Sequence, residues 1–108
     1  MYRQGDVLLI PVNSIPGSVR KVPRRSGRIV LADGELTGHA HVLEAEDGAL
    51  LQDMTGMRFI RLETPGKLVH EEHAEIKIPA GAYRVVRQRE YVPGQYVEPE
   101  RDSRPVAD

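Results

Sequence analysis

There is no cysteine among the 108 residues. That excludes a disulfide framework, a thiolate zinc site and a cysteine nucleophile. Any metal would have to be held by imidazole and carboxylate, donors that suit zinc, iron, manganese, nickel or copper. No apolar run approaches the roughly 20 residues of a membrane span. The opening stretch Met1-Tyr2-Arg3-Gln4-Gly5-Asp6 has no apolar core behind a basic region, so it does not read as a signal peptide, and a cytoplasmic location is the expectation. A sustained helical apolar stripe is missing throughout. No glycine-rich loop follows a strand and opens a helix, which argues against a P-loop or dinucleotide-binding fold. Of Ser14, Ser18, Ser26 and Ser103, none sits in a nucleophile-elbow context. The net charge of −1 speaks against holding nucleic acid by charge alone, a local basic patch aside.

What is present is a set of short strand signals with turn formers between them. Val7-Leu8-Leu9-Ile10 is apolar without alternation, the pattern of a strand covered on both faces. Arg28 to Ala32, His39 to Glu46, Ala49 to Met54, Met57 to Leu62, Ala74 to Ile78 and Tyr83 to Val92 read as further strands. Asp47-Gly48 signals a hairpin that would return Ala49 to Met54 against the strand before it. In Ala74 to Ile78 the alternation sends Ala74, Ile76 and Ile78 inward and Glu75 and Lys77 outward. The segment Arg20 to Arg28, broken by Pro23 and Gly27, reads as an extended loop or poor strand. Charged residues at 29% suit a folded, soluble chain. The expected architecture is all-β: one small antiparallel β-barrel or roll over residues 1–97, with 98–108 as a flexible tail.

All four histidines fall in two compact clusters, Thr37-Gly38-His39-Ala40-His41 and His70-Glu71-Glu72-His73. Imidazole is the commonest side-chain metal ligand and titrates near neutral pH. On a regular strand His39 and His41 share a face with Leu43 and Ala45, the less charged face and the one expected to look inward. In the second cluster an uninterrupted strand would put His70 and Glu72 on one face and Glu71 and His73 on the other. His70 and His73 can act together only if Glu71-Glu72 forms a bulge or turn. The expected ligands are therefore His39, His41 and His70, with Glu72 or His73 as a fourth donor. Glu71 or Glu72 would act as the proton-moving carboxylate. The i, i+3 spacing of His70 and His73 does not match the zinc-protease motif, which needs i, i+4 on a helix.

The histidine-x-histidine pair, Glu46 five residues beyond it and the later Pro79-Ala80-Gly81 turn resemble parts of the cupin motifs. That resemblance implies a metal held inside a β-barrel by two histidines, a glutamate and a third histidine. In cupins the third histidine follows the proline-x-glycine turn, where this chain has Arg84, whereas His70 and His73 precede it. The wider pattern is similar to a family of small bacterial and phage-type proteins of unassigned function. It comprises Met1-Tyr2-Arg3-Gln4-Gly5-Asp6-Val7-Leu8, both histidine motifs and Arg87-Gln88-Arg89-Glu90-Tyr91. This resemblance implies that these stretches belong together, and it implies no activity.

Two readings from different classes follow. The first is a small β protein binding a divalent transition metal (zinc, iron, manganese or nickel), with metal-assisted hydrolysis or oxidation of a small molecule as the chemistry open to it. The second is a non-catalytic adaptor. Its nucleic-acid surface would draw on Arg84, Arg87 and Arg89 with the Arg20 to Arg28 segment, and the final strand, with Tyr91 and Tyr96, could serve as a contact between identical subunits.

Overall fold

The computed structural model describes residues 1–33 and 39–88. Thr37, Gly38, Arg89, Tyr91, Tyr96 and the expected tail at 98–108 lie outside them. The described residues form ten strands: β1 (Tyr2–Gln4), β2 (Val7–Pro11), β3 (Arg20–Val22), β4 (Ile29–Asp33), β5 (Ala40–Glu44), β6 (Gly48–Gln52), β7 (Arg58–Leu62), β8 (Gly66–His70), β9 (His73–Ile78) and β10 (Gly81–Arg87). Among them no helix is long and apolar enough to cross a membrane.

The strands assemble into two antiparallel sheets, ordered β1-β2-β10-β7-β6-β3 and β4-β5-β8-β9. The fold is all-β, as expected from the alternation, but a sandwich of two sheets takes the place of a closed barrel. Partners across an antiparallel ladder share a face. In the larger sheet Leu9 pairs with Val85, Val85 with Arg58, Tyr83 with Ile60 and Ile60 with Leu50. Their shared face meets Leu43, Leu68 and Ile78 of the smaller sheet in a single apolar cluster, with Val7, Leu9, Ile60, Leu68 and Ile78 fully enclosed. Each such side chain contributes roughly 1.5–3 kcal/mol by leaving water.

Two expectations are corrected. Asp47-Gly48 does turn the chain, but β5 and β6 do not form a hairpin: β5 pairs with β4 and β8, while β6 pairs with β7 and β3. Both hydrogen-bonding edges of β5 are taken, so β6 has to cross to the other sheet. A corner of small residues and one arginine makes the crossing. A Cβ on Gly48 would lie 2.9 Å from the Ala45 Cβ. The Arg24 guanidinium donates to the carbonyls of Ala45 at 2.9 Å and Gly48 at 3.0 Å. Second, Ala74 is exposed, while Ile76 and Ile78 turn toward the core. The register of β9 slips against β8, with Leu68 opposite Ile76 but His70 opposite His73. One extra residue of β9 lies between those pairs and breaks the alternation at Ala74.

The chain's first strand, β1, carried no clear sequence signal. It pairs with β2 through a two-residue Gly5-Asp6 turn, with Gln4 opposite Val7. Gly5 has φ +59. Hairpin turns of the class that places glycine at the first central position require that conformation.

Candidate metal centre

The site lies where the apolar interior ends. Leu43, Leu68 and Ile76 form a row across β5, β8 and β9. Two residues farther along β5 and β8 come His41 and His70, and the β8–β9 turn sets His73 opposite His70. The result is a row of three imidazoles on adjacent strands. Ring centroids are 4.3 Å apart for His41 and His70, 4.6 Å for His70 and His73, and 5.7 Å for His41 and His73. One nitrogen from each can be chosen so that all three lie within 4.8 Å of one another. A tetrahedral ion with bonds of about 2.0–2.1 Å holds its nitrogen donors roughly 3.3 Å apart, so small side-chain rotations would close the triad.

The turn and the bulge act jointly here. A two-residue turn at Glu71-Glu72 puts His70 and His73 on one face whatever follows. Simple counting would then place Glu75, not Ile76, opposite Leu68. The extra residue in β9 restores Ile76 and Ile78 to the interior without moving His73 from the row. Burial falls along the row, with His41 buried, His70 half-buried and His73 exposed, so the cluster opens to solvent on the β9 side.

The opposing sheet ends in a row of its own, Gln4, Val7 and Arg87 across β1, β2 and β10. Gln4 is 2% exposed. Its side-chain nitrogen donates at 2.9 Å to both the Leu68 carbonyl and the Ala74 carbonyl. With both amide protons engaged, its Oε1 accepts from His41 Nδ1 at 2.9 Å. This sets the His41 tautomer: the proton sits on Nδ1, and the lone pair of the neutral ring is on Nε2, facing the cluster. Gly5 lies against the rings. A Cβ there would stand 2.8 Å from His73 Nε2 and 3.2 Å from His41 Cε1. Asp6 follows, with Oδ1 3.3 Å from His41 Nε2 and Oδ2 accepting from Arg87 Nε at 2.8 Å.

His70 is arranged differently. Its Nδ1 accepts from the Glu72 backbone N–H at 3.0 Å. While that bond lasts, the neutral ring keeps its proton on Nε2, so ligation through either nitrogen requires the bond to break.

Titration behaviour follows from these neighbours. Burial is the largest influence on His41 and holds its pKa below the ordinary imidazole range. His70, His73 and Arg87 act in the same direction and Asp6 against them. For Asp6, burial favours the neutral acid, but the Arg87 hydrogen bond and charge outweigh it and keep the carboxyl below the usual range. Glu71 is also held low, first by its own backbone N–H and then by the Ala40 N–H, with His39 and His70 nearby.

The remaining expected residues take other places. His39 precedes β5, its ring 5.8 Å from that of His70 and its Nδ1 3.3 Å from Glu72 Oε2. It stands beside the triad, outside the group whose nitrogens converge. Glu71 and Glu72 occupy the exposed turn, and Glu71 Oε1 accepts from the Ala40 N–H at 3.3 Å. Glu46, which the cupin resemblance would draw toward a metal, sits past the far end of β5, on the order of 15 Å along the chain from His41 at strand spacing. Of the arginines proposed for a basic surface, Arg87 meets Asp6 and Arg24 meets backbone carbonyls. Arg84 is half-buried, and Arg89 lies outside the described residues.

Gln4, Gly5 and Asp6 were not picked out as site residues by sequence reasoning. Their signal was present but indirect, in a glycine-aspartate pair between short β-forming stretches that marks a tight hairpin, and in a glutamine on a strand too short to be recognised.

Residues 3–88 match the family described as a domain of unknown function, DUF8820, and the chain belongs to that family. No curated protein and no solved structure matches the chain.

Proposed function

We propose that this protein binds a divalent transition metal ion through His41, His70 and His73. The observation that carries this reading is the row itself: nitrogens from three adjacent strands lie within 4.8 Å of one another beside the apolar interior. The Gln4 hydrogen bond supports it, since ligating histidines generally donate their other ring N–H to an acceptor that fixes the ring. All donors on offer are nitrogen and oxygen, which suits zinc, iron, manganese, nickel or copper. The ion would supply Lewis acidity or redox chemistry at positions the protein leaves to water or substrate, for hydrolysis or oxidation of a small molecule. The Glu71-Glu72 turn, with Glu72 next to His39, brings carboxylates to the open side as candidates to move a proton.

Metal analysis tests this on untagged protein, loaded in turn with zinc, iron(II), manganese, nickel and copper and then dialysed. Stoichiometric metal in the native protein, lost in the double variant His41→Ala, His70→Ala, is the expected outcome. The proposal falls if no metal is retained and a strong chelator leaves the melting temperature unchanged, because a ligand that binds only the folded state must raise stability.

A further inference from the structure

We infer that Asp6 is a fourth ligand to the same metal ion, through Oδ1, and that Arg87 is the positioning residue that aims it. The inference rests on the triad reading and extends it to a site of three imidazoles and one carboxylate shared between the two sheets.

The geometry is specific at each step. The Gly5-Asp6 turn is the shortest hairpin connection, and Gln4 and Val7 close it, so Asp6 has little freedom to swing away from the rings. One carboxylate oxygen is already committed: Oδ2 accepts from Arg87 Nε at 2.8 Å. The backbone N–H of Gln88 donates to the Asp6 carbonyl, tying the turn to the end of β10 a second time. Oδ1 is left facing His41 Nε2 at 3.3 Å. That nitrogen carries a lone pair in the tautomer set by Gln4, because Gln4 Oε1 takes the proton on Nδ1. Two acceptors therefore face each other at a separation they would repel at, unless a cation lies between them. The cation is either a proton, giving an imidazolium–carboxylate pair, or a metal ion. Bonds of about 2.0–2.2 Å from one ion to a histidine nitrogen and a carboxylate oxygen put the two donors roughly 3.3 Å apart, which is the spacing found. A lone proton would account for His41 and Asp6 but would leave unexplained why His70 and His73 gather beside His41 from β8 and β9. Asp6 Oδ1 stands against the first of these three imidazoles, outside the group whose nitrogens lie within 4.8 Å of one another, so the carboxylate as well as the rings would shift to close around one ion.

Cobalt(II) is the probe, because its visible spectrum reports the number and type of its ligands. Affinity is measured by competition with a chromophoric chelator, and folding of each variant is checked by circular dichroism. Asp6→Ala is expected to weaken cobalt binding by more than about 100-fold, beyond the 10–100-fold typical of outer-sphere partners. Asp6→Asn, nearly the same shape and able to offer only a neutral oxygen, should retain binding more weakly and with altered visible bands. Arg87→Met should fall within the 10–100-fold range, with Arg87→Lys recovering part of the loss and the native bands. Native affinity and native bands in a folded Asp6→Asn variant would overturn the assignment while leaving the triad intact. Failure of the native protein to bind any metal overturns the triad reading itself. Should the variants not fold, carboxyl carbon NMR of the native protein decides. With diamagnetic zinc bound, a shift of the Asp6 carboxyl carbon well beyond those of the other aspartates supports ligation, and an Asp6 carboxyl unmoved by zinc while the His41 ring nitrogens shift overturns it.

Discussion

The two histidine pairs have similar spacing and different outcomes. His39 and His41, i and i+2 at the start of a strand, have the parity to share a face, yet only His41 joins the triad, because β5 begins at Ala40 and His39 lies before regular pairing sets in. His70 and His73, i and i+3, have the wrong parity for one strand, yet they stand opposite each other because Glu71-Glu72 is a two-residue turn. Parity governs only inside a strand. Across a turn, loop length decides which side chains face each other.

The largest effect expected from probing this contrast is on metal binding. His41→Ala should abolish it, while His39→Ala should weaken it by less than the 10–100-fold seen for outer-sphere partners. Titration of both variants with zinc in the presence of a competing chelator measures the difference, and equal losses would make His39 a ligand and erase the contrast. His41→Ala should also cost stability, about 1–3 kcal/mol, because it leaves the buried Gln4 Oε1 without its donor. Denaturant unfolding without metal measures that.

A smaller but sharper effect is expected at Gly5. Alanine there keeps φ +59 only at a cost of roughly 1–2 kcal/mol, and its Cβ would meet His73 Nε2 at 2.8 Å. Gly5→Ala should therefore lose both stability and metal affinity, whereas alanine at Gly17, where a Cβ meets nothing within 4 Å, should lose neither.

The smallest effect expected is on pH dependence in the metal-free protein. The folded state holds His41 below the ordinary imidazole value of 6.5, so the unfolded chain takes up that proton first on acidification. The stability linked to His41 is thus fully present above that value and is lost as the pH falls from there through the folded-state pKa. Melting temperatures across that window should drop on the acid side, and the drop should shrink in His41→Ala but persist in His39→Ala.

Much of the strand pattern was legible in the chain because its signals are local: the unbroken apolar run Val7-Leu8-Leu9, the alternation of Ile76 with Ile78, and the turn formers between strands. Tyr2–Gln4 was not legible, since three residues carry no periodicity, and with that strand went Gln4 and Asp6 beside His41. The same reason hid the crossing at Asp47-Gly48. Turn residues announce that a chain reverses, and they do not say whether the preceding strand still has an open edge.

From residue types and spacing alone came the all-β class, the lack of thiolate chemistry and the gathering of every histidine into two short runs. Only the tertiary structure decided that two sheets pack as a sandwich, that strand pairing and a two-residue turn put His41, His70 and His73 in one row while a bulge keeps Ile76 and Ile78 inside, and that the Gly5-Asp6 turn faces them from the opposite sheet. Those outcomes depend on which hydrogen-bonding edges are already occupied and which faces are already covered, and both are properties of the assembled sheets that no single stretch of chain carries.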